Sequence, residues 1–361
     1  MTTELRVGTL RGDVPGQEAL VAAHRFNRHT FWCGQSGSGK TYALGVVLEQ
    51  LLLHTRLPLL ILDPNADFVR LGETRDDVEP DVAASWEQLD VRVLRPAAEG
   101  DDRLAVRFVD LDVRSKAAVL RLDPLLDAEE YNVLLHLEEV FGTNDQRQLA
   151  AFLHDSPEPG HRTLLRRLEN LGVLDWDLWA WGGRSVEDVI DERPRATVLD
   201  LGGFKNPAEP HVAALAVLDH LWATRHERRP VLIVIDEAHN LCSPTPVTPV
   251  EVALTERIVQ IAAEGRKYGL WLLLSTQRPS KIHPNALSQC DNLGLMKMSS
   301  PRDLADLADH FGYAPADLLA HAARFRQGEA LFAGGFVPDA SLVQVGSRLT
   351  HEGGSDVHVP L

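Results

Sequence analysis

Residues 34–41 read Gly-Gln-Ser-Gly-Ser-Gly-Lys-Thr, and this octapeptide limits the fold more than any other stretch of the chain. Its three glycines let successive backbone N–H groups turn towards one point with no Cβ in the way, the geometry of a phosphate-binding P-loop. Such a loop needs a strand before it and a helix after it. His29-Thr-Phe-Trp-Cys33 supplies the strand, and the apolar residues after Lys40, through Tyr42-Ala-Leu-Gly-Val-Val-Leu, recur at helical spacing. A P-loop NTPase of α/β class, with a mostly parallel central sheet, is therefore expected, with ATP as its nucleotide. The expected nucleotide contacts are Gly34, Gln35, Ser36, Gly37, Ser38, Gly39, Lys40, Thr41 and Tyr42. Lys40 would reach the β/γ-phosphates, Thr41 would give its hydroxyl to Mg²⁺, and the helix that starts there would aim its positive end at the same anion.

A chain of 361 residues, 44% of them hydrophobic, can bury a large core, and its length suits one enlarged α/β domain or two modest ones. No apolar run is long enough to span a bilayer, and Met-Thr-Thr-Glu-Leu-Arg lacks the order of a signal peptide, so a cytoplasmic protein with no membrane partner is expected. Cys33, Cys242 and Cys290 are far apart and lack Cys-x-x-Cys spacing, which suits small buried hydrophobes rather than a metal or redox site. The net charge of −16 excludes a protein that coats nucleic acid with its whole surface. It leaves room for basic residues confined to a narrow track.

Pro58-Leu-Leu-Ile-Leu62 has the continuous apolar character of a strand buried on both faces and ends at Asp63. Similar runs return at Ala196–Leu201, Val231–Ile235, Leu270–Leu274 and Leu293–Met298, separated by helical patterns such as His211–His226 and Val252–Tyr268. That alternation implies right-handed crossovers. Two short strands near Ala330–Ala333 and Leu342–Arg348 are expected at the edge of the sheet. The expected division is a core of residues 1–68 and 196–350, a mostly helical insertion over 69–195, and an aperiodic tail, 351–361. Trp176, Trp179 and Trp181 fall in the insertion and suit packing better than base stacking.

The second half of the site comes from Val231–Ile235, which delivers Asp236-Glu237 to the carboxyl end of a buried strand. Asp236 would hold Mg²⁺ through its water shell, and Glu237 would polarise the attacking water. Leu270–Leu274 runs into Ser275-Thr-Gln-Arg-Pro279, which places Gln277 at a neighbouring strand end as a γ-phosphate sensor. Asp63, at the end of the strand after the P-loop helix, is a further expected Mg²⁺ ligand, because ligands of open α/β sheets gather at that edge.

Taken together, the P-loop, Asp63-Pro-Asn-Ala-Asp67, Val231-Leu-Ile-Val-Ile-Asp-Glu-Ala-His-Asn240, Glu264-Gly-Arg-Lys-Tyr-Gly269, Ser275-Thr-Gln-Arg-Pro-Ser280, Leu287-Ser-Gln-Cys-Asp291 and Gln327-Gly-Glu-Ala330 resemble the HerA branch of the HerA/FtsK ATPases, in order and spacing from about residue 28 to 350. The resemblance implies a RecA-like fold, a homohexameric ring with ATP at subunit interfaces, and translocation of double-stranded DNA, often beside a nuclease partner. It also implies an arginine acting from the next subunit, for which Arg266 matches the family position and Arg28 is the second candidate. Some thirty residues precede the P-loop, too few for the β-barrel with which family members dock a nuclease, and Asp63-Pro-Asn-Ala-Asp67 departs from the family's Asp-Pro-His-Gly-Glu. Only the role of Asp63 carries over from that motif.

Three functions follow as expectations: a DNA translocase or helicase, an ATP-dependent ring that scaffolds a nuclease or other effector of an anti-phage system, and a coupling ATPase that pumps DNA. Lys267, Arg278 and Lys281 are the candidate DNA contacts.

Overall fold

A computed structural model describes residues 3–12, 16–141 and 149–354. A hairpin of β1 (Glu4–Leu10) and β2 (Glu18–Ala22) precedes β3 (His29–Cys33), helix α1 (Lys40–His54) and β4 (Leu59–Asp63). The chain then runs through α2 (Pro80–Glu87), β5 (Val91–Leu94), α3 (Val113–Leu120), α4 (Ala128–Phe141), α5 (Leu149–Asp155), α6 (Pro159–Leu171) and α7 (Val186–Asp191). β6 (Ala196–Asp200), α8 (Glu209–Ala223), β7 (Val231–Ile235), α9 (Pro249–Glu264), β8 (Leu270–Thr276), α10 (Pro284–Leu287) and β9 (Cys290–Leu295) follow, and helices α11 (Pro301–His310) and α12 (Ala316–His321) lead into β10 (Glu329–Gly334) and β11 (Ser341–Val345).

All eleven strands form one sheet, ordered β2-β1-β11-β10-β9-β3-β8-β7-β4-β6-β5. β3 to β9 are mutually parallel, and the other four pair antiparallel. The pleat sorts the apolar runs onto two faces. Leu60, Leu62, Ile233, Ile235, Leu272 and Leu274 join one core with α8, α9 and the helices of the 100–195 region. Leu59, Ile61, Leu232, Val234 and Leu273 join the other with α1 and the N-terminal hairpin. Continuous apolar strands are what a sheet covered on both faces demands, since successive side chains point to opposite cores.

Two features differ from the sequence-based expectation. β10 and β11 are interior strands, because the first twenty-two residues add β1 and β2 outside them. The hairpin escaped notice since Glu4–Leu10 opens with alternating exposed and buried residues rather than a continuous apolar run, and β11 reveals its partner only through long-range pairing such as Gly8 with Val345. Within 69–195, Val91–Leu94 joins the main sheet beside β6, while the remaining regular structure is helical. Trp176 and Trp179 stack in the core there, with ring centroids 5.7 Å apart.

Of the aperiodic tail, residues 351–354 lie against the loop after β4, where Glu73 and Asp67 carbonyls accept the His351 and Gly353 N–H groups. Residues 355–361 lie outside the described residues.

Candidate functional site

The parallel strands all end on one side, and their ends bring the expected residues together. β3 leads into the P-loop, whose Gly37 and Gly39 have φ of 74° and 85°, a region closed to most side chains. Gly34 is crowded instead: a Cβ there would lie 2.5 Å from the Met296 Cβ and 2.8 Å from the Ser38 Oγ. Gln35 braces the loop against the strand end after β9, since its N–H donates to the Lys297 carbonyl and its Oε1 accepts from the Ser299 N–H. The Ser38 Oγ is buried without a hydrogen-bond partner among the described residues. A pocket of about 810 Å³ opens over this loop, lined by Gln35, Ser36, Gly37, Gly39, Lys40, Thr41 and Tyr42 on one side.

Beneath the loop lies a buried charge cluster. Lys40 Nζ donates to Asp236 Oδ1 at 2.8 Å and to Ser275 Oγ at 3.0 Å, and lies 3.2 Å from Glu237 Oε1. Ser275 in turn donates to Asp236 Oδ1 at 2.6 Å. Gln277 Nε2 donates to Glu237 Oε1 at 2.7 Å, and His239 Nδ1 lies 3.0 Å from Thr276 Oγ1 and 3.2 Å from Glu237 Oε2. Burial opposes the Lys40 charge, but Asp236 and Glu237 outweigh it and raise its pKa. Burial likewise pushes the Glu237 carboxyl up, and His239, Lys40 and Gln277 overcome it, holding it down at about 2. Glu237 sits at φ 43°, an uncommon conformation for a non-glycine residue and one that recurs where function fixes the backbone.

Asp63, Asp67 and Asp236 present carboxylate oxygens within 4.8 Å of one another. Asp63 accepts the N–H groups of Asp67 and Phe68 at 3.0 and 2.7 Å and so folds the loop that carries Asp67. Burial raises the Asp63 pKa to about 7 against those hydrogen bonds, and burial with the Asp236 charge raises Asp67 to about 6. Asp236 Oδ2 is buried with no hydrogen-bond partner among the described residues. An orphaned carboxylate oxygen inside a knot of hard oxygen donors fits a divalent cation such as Mg²⁺, which prefers carboxylates and water.

Arg266 and Arg28 lie elsewhere. Both approach Asp291, Arg266 Nη1 at 2.7 Å and Arg28 Nη1 at 3.9 Å. They stand at the starts of β8 and β3, a strand length of roughly 17 Å from the P-loop edge. Neither can reach the nucleotide pocket of its own chain. Lys267 shares that far edge, whereas Arg278 and Lys281 follow the end of β8, so the three candidate DNA contacts divide between opposite sides of the sheet.

The structure adds residues that sequence reasoning missed. Asn65, Asp67, Gln327, Gly328, Gln344–Ser347, Glu352 and Gly354 complete the pocket wall. Asp67 was visible in the quoted Asp-Pro-Asn-Ala-Asp run but carried no role, and His239 likewise stood beside Glu237. The wall from β11 onward had no local signal. It is brought there by a buried knot in which Glu49 of α1 accepts from the N–H groups of Leu349 and Thr350, the Thr350 hydroxyl and the Arg348 Nε.

A glycine-rich loop over a buried Lys-Asp-Glu cluster, at the carboxyl edge of a parallel sheet, defines a P-loop NTPase. The family described as "Helicase HerA, central domain" matches residues 5–151. The DNA double-strand break repair helicase HerA of Saccharolobus solfataricus is 30% identical over 95% of this chain and 68% of its own length. A probable helicase of Methanocaldococcus jannaschii, MJ1565, is 29% identical over 98% of this chain and 69% of its own. The chain belongs to the HerA family. Its fold is that of VirB4 of Thermoanaerobacter pseudethanolicus, which superposes with a TM-score of 0.63 at 15% identity over 96% of both chains.

Proposed function

We propose that the protein is an ATP-hydrolysing motor that translocates or unwinds double-stranded DNA as a hexameric ring, with Mg²⁺ held by Asp63, Asp236 and Thr41. The observation that carries this reading is the cluster of Lys40, Asp236, Glu237 and Gln277 under the P-loop, because a fold that only binds nucleotide has no need of the Glu237–Gln277 pair. Mg²⁺ would supply charge neutralisation for the departing phosphate. This chain's own residues orient the phosphates through the P-loop N–H groups and Lys40, and Glu237 takes up the proton side of the attacking water. Lys40 must leave Asp236 and Glu237 to meet a phosphate, which frees both carboxylates for their roles. Relatives named as DNA repair helicases support the choice of DNA.

A second reading is a ring that scaffolds a nuclease or defence effector. It is favoured by Leu125 and Leu126, each 87% exposed beside α4. Among the described residues no helix is long and apolar enough to cross a membrane.

The test is the steady-state ATPase rate of the purified protein, alone and with linear duplex DNA, against Lys40→Ala and Glu237→Gln. Duplex stimulation lost in both variants supports the motor. A rate indifferent to DNA overturns it and favours the scaffold.

A further inference from the structure

The starts of the parallel strands carry a row of arginines. In strand order, Arg28 stands before β3, Arg266 before β8, Arg228 and Arg229 before β7, Arg56 before β4, and Arg193 and Arg195 before β6. Five adjacent strands at about 4.8 Å spacing put this row over roughly 19 Å. The ion pairs along it are uneven. Asp291 serves Arg266 and Arg28, and Glu227 serves Arg229 at 2.8 Å. On β7, β4 and β6, however, Arg228, Arg56 and Arg195 have no carboxylate partner among the described residues, and Arg193 has only the field of Asp191. Arg193 donates to the Pro230 carbonyl, and Arg195 to those of Leu52 and Thr55. Arg56 and Arg228 are exposed.

These guanidiniums feel one another. Burial lowers the Arg193 pKa and Arg229 lowers it further against the opposing charge of Asp191, while burial and then Arg56 lower that of Arg195. Capping the carbonyls of α1 explains Arg195 alone. It does not explain why Arg228 and Arg56, and an Arg193 offset only by Asp191, stand beside it on three neighbouring strands of a protein whose net charge is −16. Massed like charge is unfavourable unless an anion neutralises it.

We propose that this edge of the sheet binds the phosphodiester backbone of a nucleic acid strand, as a track separate from the segments that follow the nucleotide-contacting strands. A polymer suits the row better than a single phosphate does. The charges are spread along a line rather than gathered round a cavity, and a strand carrying one phosphate per 3.4 Å of rise places about six along 19 Å. The choice of nucleic acid over an acidic protein rests on the motor reading above. Arg28 and Arg266 lie at one end of the track, so a bound strand would run towards the arginines expected to meet a neighbouring nucleotide.

The test is fluorescence anisotropy of labelled duplex and single-stranded DNA on the full chain from 50 to 300 mM salt. Arg56→Glu/Arg228→Glu is compared with Arg162→Glu/Arg166→Glu, exposed arginines of α6 far along the chain. The row variant is expected to lose roughly tenfold in affinity near 100 mM salt and to flatten the slope of log K against log salt by about two, while the control and the DNA-free ATPase rate stay unchanged. Equal losses in both pairs would reduce the effect to net charge and overturn the track. Unchanged DNA affinity with an altered sedimentation mass would also overturn it and make the edge a contact for a second copy. A wild-type protein that binds no DNA removes the track and the motor reading together, whereas wild-type binding that the row variant retains removes the track alone.

Discussion

The two edges of the parallel sheet handle charge in opposite ways. At the carboxyl edge, the Lys40, Asp236 and Glu237 side chains are 4%, 0% and 5% exposed and are locked to one another at 2.8 to 3.2 Å. At the amino edge, guanidiniums stand half in water, bonded to carbonyls or to a shared Asp291. A buried ion loses its hydration and depends on its partners, so removing one partner leaves another uncompensated. An exposed ion keeps its hydration, and its single interactions are screened and small. Large single-residue effects therefore belong to the carboxyl edge, and the amino edge acts through sums.

Arg266 is the residue expected to break that rule. If it completes the site of the next subunit, Arg266→Ala lowers the hydrolysis rate by about three to five orders of magnitude and leaves ATP binding intact. Assemblies mixing Arg266→Ala with Lys40→Ala subunits should recover part of the rate, because an intact site can form between them. Full activity of Arg266→Ala alone transfers the role to Arg28, which shares Asp291 with it.

Glu237→Gln keeps the rule. Replacing the carboxylate with its amide preserves the shape against Gln277 and Lys40 and removes the base, so single-turnover hydrolysis should fall by about two to four orders. Nucleotide affinity should hold or rise, since Lys40 is released from one of its carboxylates. A variant that still hydrolyses within tenfold of the parent would place the water-activating group elsewhere.

The same contrast appears in stability. Arg348 and Glu49 are a fully buried pair, 3.3 Å apart, whereas Arg70 and Glu73 pair at 2.7 Å on the surface. Glu49→Leu leaves the buried Arg348 charge with only the half-exposed Glu352, 3.6 Å away, and should cost about 3–5 kcal/mol. Adding Arg348→Met should return at least half of that, because the cost is the uncompensated ion rather than the lost bond. Arg70→Ala should change stability by no more than about 1 kcal/mol. Thermal denaturation of the three variants decides the ranking.

Much of the carboxyl edge was legible because its chemistry is written in contiguous runs. The P-loop, the strand ending in Asp236-Glu237 and the strand before Gln277 each combine a buried apolar segment with the polar residue that the segment delivers. One fold then sets all three strand ends side by side. What escaped was built from distance in the sequence. β1 finds β11 across more than three hundred residues, and the pocket wall at Gln344–Gly354 depends on Glu49 gripping Leu349 and Thr350. The arginine row is invisible for the same reason, since its members are single residues before separate strands and become neighbours only through the order β3-β8-β7-β4-β6.

His29 reports on the field of that row from inside the protein. It opens β3, is fully buried, and its Nδ1 accepts the Leu272 N–H at 2.9 Å, so the ring is held neutral. Burial first, and the Arg266 and Arg28 charges after it, lower its pKa from 6.5 to about 4. Between those values the unfolded chain binds the proton more readily than the native one, so stability falls as the pH drops from about 6.5 towards 4, by up to about 3 kcal/mol from this residue. Above pH 6.5 the residue contributes no pH dependence. His29→Gln should flatten that part of the stability profile, and denaturant titrations at pH 7 and pH 5 measure it. Arg266→Ala offers the finer probe. If the amino edge carries an uncompensated positive field, the His29 imidazole should titrate at a higher pH by NMR once that guanidinium is gone. A midpoint that does not move would mean that Asp291 already cancels Arg266, and that only the unpaired arginines of β7, β4 and β6 remain to attract an anion.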